Sequence, residues 1–235
     1  MRVLFISTIV ILFACKKEAS PEADTSQSSN QQFYLTPVNT FLALGDSYTI
    51  GQSVSEFERF PAQTVKLLSL ERIPFENPTY IANTGWSTDK LQAGIEYYKP
   101  KKHTIVSLLV GVNDQNSGVD LETYRERLEI LVQKAITLAY DISNHVFILS
   151  IPDYSATPRY NAAESDFMSN EIDQFNEVVK EVSEKYQCSF LYITDLTRDA
   201  RYDSSLVSSD LLHPSGKEYE RWARLLAPMI KKELR

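Results

Sequence analysis

Five short apolar runs, separated by stretches of helical period, leave this chain few folds to choose from. The runs occupy residues 40–44, 79–82, 104–110, 146–151 and 190–193. Each is apolar almost throughout rather than alternating, the pattern of a parallel strand buried on both faces. Between them lie amphipathic segments. Residues 60–70 carry Pro61 in the first turn, where the missing N–H leaves no bond unmade. A further helix starts near Lys90. Residues 120–140 place Leu121, Leu128, Leu131, Ala135 and Leu138 on one face, and residues 165–186 do the same with Ile172, Phe175, Val178, Val179 and Val182. Residues 215–234 close the chain. Strands alternating with helices imply an α/β domain of three layers, α/β/α, around a parallel sheet. No internal repeat and no second domain is visible.

The 235 residues fit one such domain of roughly 200 residues plus an N-terminal extension. Met1-Arg2 is a minimal positive start, and residues 3–14 are apolar except for Ser7 and Thr8. That run is too short for a membrane-spanning helix, which takes about 20 residues, and it reads as a secretion signal. Leu12-Phe13-Ala14-Cys15 resembles a bacterial lipobox, with Phe13 standing where a small or β-branched residue is usual. On this reading residues 1–15 are a lipoprotein signal and Cys15 carries the lipid. Residues 16–35, rich in Ser, Gln, Glu, Ala and Asn, form a disordered tether, and residues 36–235 the domain. The Cys-Lys-Lys-Glu start resembles lipoproteins of the Bacteroidetes type. The expectation is an exported protein, anchored to a membrane of a bacterial cell envelope at its periplasmic face or at the cell surface, and monomeric.

With Cys15 lipidated, Cys188 stands alone, so no intramolecular disulfide is expected, and a buried, inert thiol is its expected state. His103, His145 and His213 are scattered without ligand spacing, which implies no metal. The formal charge of −7, with no basic stripe, argues against a nucleic-acid partner.

Four segments carry the chemistry. Gly45-Asp46-Ser47 follows the first strand, at the end of a parallel sheet where ligands bind. Ser47 offers a hydroxyl nucleophile, which needs a base to activate it; alone, it reads as a turn serine capping a helix. Asp210 and His213, three residues apart and followed by Pro214, suit a carboxylate that orients an imidazole base. Alone, they read as a surface Asp and a His before a helix with Ser215 at its N-cap. Asn113, just after the third strand in Gly111-Val112-Asn113-Asp114, places an amide donor where an oxyanion would form, or makes an ordinary turn, with Asp114 a structural partner of the loop. The loop Asn83-Thr84-Gly85-Trp86-Ser87-Thr88-Asp89 precedes a helix start whose backbone N–H groups favour negative charge. Its plain alternative is a strand-to-helix connection with Thr88 or Asp89 as N-cap.

Taken together, in this order, the four segments resemble those of the SGNH hydrolases, also called GDSL esterases and lipases, over residues 41–213 and on into the last helix. The resemblance implies a flavodoxin-like sandwich with five parallel strands, agreeing with the number of apolar runs. It implies Ser47 as nucleophile, Asp210 and His213 as the rest of a triad, and an oxyanion hole from the N–H of Ser47, the amide of Asn113 and one donor in the second segment. Gly85 matches that donor by residue type and Thr88 by spacing from Asn83; both stay open, with Gly85 preferred. Tyr48 and Thr49 replace the Leu that usually follows Gly-Asp-Ser. The α/β-hydrolase elbow Gly-x-Ser-x-Gly is only half present, since Thr49 stands where its second Gly belongs.

The expected activity is cleavage of carboxylic esters through an acyl-serine, as an esterase or lysophospholipase or as a carbohydrate deacetylase, without cofactor. The substrate is a small-molecule, glycan or lipid ester. Trp86, Tyr154, Arg159 and Tyr160 are the side chains placed to wall the site or to pack its loops. Two other readings stand beside this one: an O-acyltransferase using the same triad, and a catalytically silent surface protein that binds glycan or lipid.

Overall fold

The computed structural model describes residues 38–235. The signal segment, Cys15 and the tether lie outside the described residues. Five strands form one sheet: β1 (Phe41–Gly45), β2 (Thr79–Ala82), β3 (Ile105–Leu109), β4 (Val146–Leu149) and β5 (Ser189–Leu191). All pair in parallel, in the order β2-β1-β3-β4-β5. Every residue of β1, β3 and β4 except the terminal glycine is an almost wholly buried apolar or small side chain, which is why these segments read as unbroken apolar runs. Each expected strand is found within two residues of its expected ends; Val110, Ser150 and Ile151 leave the sheet to enter loops.

Among the described residues eight α-helices follow in chain order: α1 (Ser47–Ile50), α2 (Phe60–Leu70), α3 (Thr88–Tyr98), α4 (Val112–Asn116), α5 (Leu121–Leu138), α6 (Ala162–Lys185), α7 (Thr194–Arg198) and α8 (Gly216–Glu233). Helix α2 packs on α8, and α5 packs on both α3 and α6. Two helical layers thus enclose the sheet in the expected α/β/α sandwich. The α2–α8 layer is locked by fully buried aromatic rings, with Trp222 centred 5.9 Å from Phe60 and 5.1 Å from Tyr219. Ser215 caps α8 by accepting from the Glu218 N–H, as its sequence suggested. Cys188 is partly buried, and burial pushes its thiol up to about 12, which keeps it protonated and inert.

The strand order fixes where a ligand can sit. The chain steps from β1 outward to β2, then crosses back over β1 to β3, so the connections leaving β1 and β3 diverge to opposite faces. The carboxyl ends of these two strands flank the crevice that a sheet of this order opens. Ser47 leaves β1 and Asn113 leaves β3 there. Among the described residues no helix is long and apolar enough to cross a membrane.

Candidate active site

Gly45 ends β1 where no side chain fits: a Cβ would collide with Thr49 Oγ1 and with the Leu109 carbonyl of β3. The strands can therefore run close together right up to the turn. Asp46 then caps α1, its Oδ1 accepting the Tyr48 N–H at 2.9 Å. Ser47 becomes the first residue of that short helix, buried to 5% exposure, and among the described residues no acceptor meets its N–H.

The loop before α8 brings the base. Asp210 organises it: Oδ1 accepts from Ser208 Oγ and from the N–H groups of Leu212 and His213. Oδ2 accepts from His213 Nδ1 at 2.7 Å and from Ser53 Oγ at 2.6 Å. Burial opposes the Asp210 charge, but the hydrogen bonds from Ser53, from the His213 N–H and ring, and from Leu212 outweigh it and hold the carboxyl well below the usual carboxylate range. A carboxylate at Nδ1 makes that nitrogen the donor and leaves Nε2 as acceptor. Nε2 lies 3.0 Å from Ser47 Oγ, which donates to it. Tyr48 packs against the imidazole, ring centres 5.1 Å apart. Ser47, His213 and Asp210, drawn from opposite ends of the chain, thus form one continuous relay.

Asn113 is not in a turn, as one reading of its sequence had it, but in α4. Its Nδ2 donates to the Trp86 carbonyl at 2.9 Å, which fixes the amide and leaves its second hydrogen on a group that lines the cleft beside Ser47. The second segment separates its two contenders. Gly85 lines the same cleft. Thr88 is fully buried, its N–H donating to Asp114 Oδ2 at 2.9 Å and its hydroxyl to Oδ1 at 2.6 Å. The Thr88 N–H is therefore occupied. Asp114 is the loop-holding partner its sequence suggested; burial raises its pKa, and the bonds from Thr88 offset part of that rise. The cap of α3 is Ser87, neither Thr88 nor Asp89.

The cleft over the relay measures about 250 Å³. Tyr154, Arg159 and Tyr160 line it, as does Thr84; Tyr154 is held by a 2.6 Å bond from its hydroxyl to Gln115 Oε1. Trp86 does not wall it. Its ring turns away and packs on Gly94 of α3. Sequence reasoning missed Ser53, Asn116 and Leu212. Only Leu212 carried a signal, as the neighbour of His213. A hydroxyl held by a base, with amide and backbone donors beside it, is equipped for nucleophilic acyl transfer.

Residues 43–221 match the GDSL-like lipase/acylhydrolase family, and the chain belongs to that family. It is a carboxylic ester hydrolase. Among solved structures, TesA aligns with a TM-score of 0.67 at 17% identity, over 82% of this chain and 98% of that one. The lipase/acylhydrolase from Enterococcus faecalis aligns at 0.65 and 17% identity, over 83% and 97%. Axe2, an acetylxylan esterase from Geobacillus stearothermophilus, aligns at 0.62 and 22% identity, over 82% and 94%. At these identities the likeness is one of fold. No curated protein sequence matches the chain.

Proposed function

We propose that this hydrolase works through an acyl-serine at Ser47. The observation that carries the reading is the unbroken relay, with 3.0 Å from Ser47 Oγ to His213 Nε2 and 2.7 Å from His213 Nδ1 to Asp210 Oδ2. Ser47 Oγ attacks the ester carbonyl while His213 Nε2 takes its proton, and Asp210 holds the ring and stabilises the imidazolium. The oxyanion is received by the N–H groups of Ser47 and Gly85 and by the second amide hydrogen of Asn113. His213 then returns the proton to the leaving alcohol. Water, deprotonated by the same imidazole, attacks the acyl-serine and frees the acid.

A cleft lined by Thr84, Asn113, Asn116 and Tyr160 favours esters of short acids with polar alcohols, such as acetylated sugars, over long lipid chains. Axe2, whose fold is shared, is an acetylxylan esterase. The formed relay speaks against the silent binding protein. Transfer to a sugar hydroxyl uses the same acyl-serine, and product analysis separates it, since acylated acceptor replaces free acid. At the N-terminus we propose lipidation of Cys15 and anchoring to the cell envelope; Cys15→Ser then releases the protein from membranes, and unchanged retention would refute the anchor.

The test of the mechanism is hydrolysis of p-nitrophenyl acetate and butyrate. Ser47→Ala abolishes turnover with an unchanged melting temperature, and a phosphonate ester labels the wild-type peptide at Ser47. Full activity in Ser47→Ala would sink the assignment.

A further inference from the structure

Among the described residues Arg159 is the one permanently charged side chain lining the cleft. It stands on the rim at the apex of a tight turn. The Tyr160 N–H donates to the Thr157 carbonyl at 3.2 Å, closing a four-residue turn with Pro158 and Arg159 at its centre. The turn itself is anchored. Thr157 Oγ1 donates to the Tyr154 carbonyl at 2.8 Å, and the Tyr160 ring rests edge-on against Tyr154, centres 5.4 Å apart. Just upstream, the buried Asp153 accepts from Arg198 Nε at 2.9 Å and from Ser155 and Ser169. Arg159 is therefore presented by a fixed loop.

Among the described residues Arg159 is exposed and has no hydrogen-bond or ion-pair partner. Arg198, by contrast, bridges Asp153, Asp173 and Asp195. In a chain of formal charge −7, a lone cation facing a cleft otherwise lined by neutral groups and His213 is a local reversal of sign. A planar guanidinium presents paired donors that match a carboxylate or a phosphate.

We infer that the substrate is an ester whose alcohol portion carries an anionic oxyacid group, and that Arg159 selects it. The inference rests on the hydrolase reading above and names the substrate class of the same site. Arg159 is a specificity residue: it binds a group remote from the scissile bond in ground state and transition state alike, so its removal raises KM and leaves kcat in place.

The test uses the full chain on four acetyl esters in two matched pairs. One pair is acetylglycerol phosphate against acetylglycerol; the other is an acetylated uronic acid glycoside against the acetylated neutral hexoside. In the wild type at least one anionic ester outruns its neutral partner in kcat/KM, and which pair does so tells phosphate from carboxylate. Arg159→Gln lowers kcat/KM for that anionic ester about tenfold through KM, the scale of one charge-assisted contact at an exposed site. The same variant leaves the neutral esters within about twofold, and raised salt shrinks the preference. Arg159→Lys keeps the charge and retains part of the preference. Neutral esters cleaved as well as both anionic ones would overturn the inference while leaving the hydrolase intact. An Arg159→Gln loss shared by all four esters, or no loss, would equally overturn it. Absence of turnover on every ester would bring down the enzymatic reading itself.

Discussion

Ser53 and Asp210, 157 positions apart, are joined by a 2.6 Å hydrogen bond to the same Oδ2 that accepts from His213 Nδ1. The Ser53 hydroxyl therefore helps to hold Asp210 ionised and in place behind the imidazole. Ser53 sits at φ 67°, so Gly is the replacement that removes the hydroxyl without straining the backbone. Ser53→Gly is expected to lower kcat several-fold and to leave KM unchanged. Because the folded Asp210 carboxyl is held below its unfolded value, its stabilising contribution is present above about pH 4 and is lost as pH falls further. The variant should thus trail the wild type by about 1 kcal/mol near neutrality, with the gap closing in acid. Denaturant titrations at neutral and acid pH measure it; a gap independent of pH would count against the role.

That bond also shows what the sequence could not disclose. The strands were legible because a parallel strand buried on both faces must be apolar throughout, and Ser47, the Asn83 loop and Asn113 each follow one directly. His213 and Asp210 were legible as a local pair. Ser53 was not, because an exposed serine in a loop has no pattern to tie it to a carboxylate at the other end of the chain. Nor could residue types settle Gly85 against Thr88, since a backbone N–H is the same on either. What the fold adds is that Asp114 captures the Thr88 N–H, a contact between β-strand loops that meet only in the fold. For Trp86 its position left two roles open, walling the cleft or packing its loop, and the ring takes the second, lying against Gly94 of α3.

Asn113→Ala separates transition-state from ground-state binding. One amide hydrogen holds the Trp86 carbonyl and the other is assigned to the oxyanion, which develops only on attack. The variant should lose about 10²–10³ in kcat with KM little changed. Steady-state kinetics on p-nitrophenyl acetate checks this; a rise in KM alone would remove Asn113 from the oxyanion hole.

Asp46 is fully buried, and among the described residues its Oδ2 has no hydrogen-bond partner. Burial, with the Tyr48 N–H opposing it and the charge of Asp114 adding to it, raises its carboxyl from 3.8 to about 7. Between those values the folded state holds a proton that the unfolded state has lost, so stability falls as pH rises through this window. Asp46→Asn keeps an oxygen for the Tyr48 N–H and carries no charge. Its stability relative to wild type should therefore increase steadily from about pH 4 to pH 7. Melting temperatures of both proteins across that range test it, and a constant difference would refute the titration.

Gly94→Ala probes the longest arm of the site. An Ala is about 1 kcal/mol better than Gly inside a helix, but a Cβ here would collide with the six-membered ring of Trp86. The indole is partly buried and packed against the core, so its displacement strains the loop that carries it. Overpacking of this kind costs about 1–3 kcal/mol, which exceeds the propensity gain. That loop includes the Trp86 carbonyl, the acceptor that fixes Asn113. The expected result is a lower melting temperature together with a fall in kcat of about tenfold, as for a donor moved out of line rather than deleted. Pairing it with Asn113→Ala in a double-mutant cycle completes the argument. If Gly94 acts through Asn113, the two losses in kcat do not add; strict additivity would show that the indole and the amide are independent.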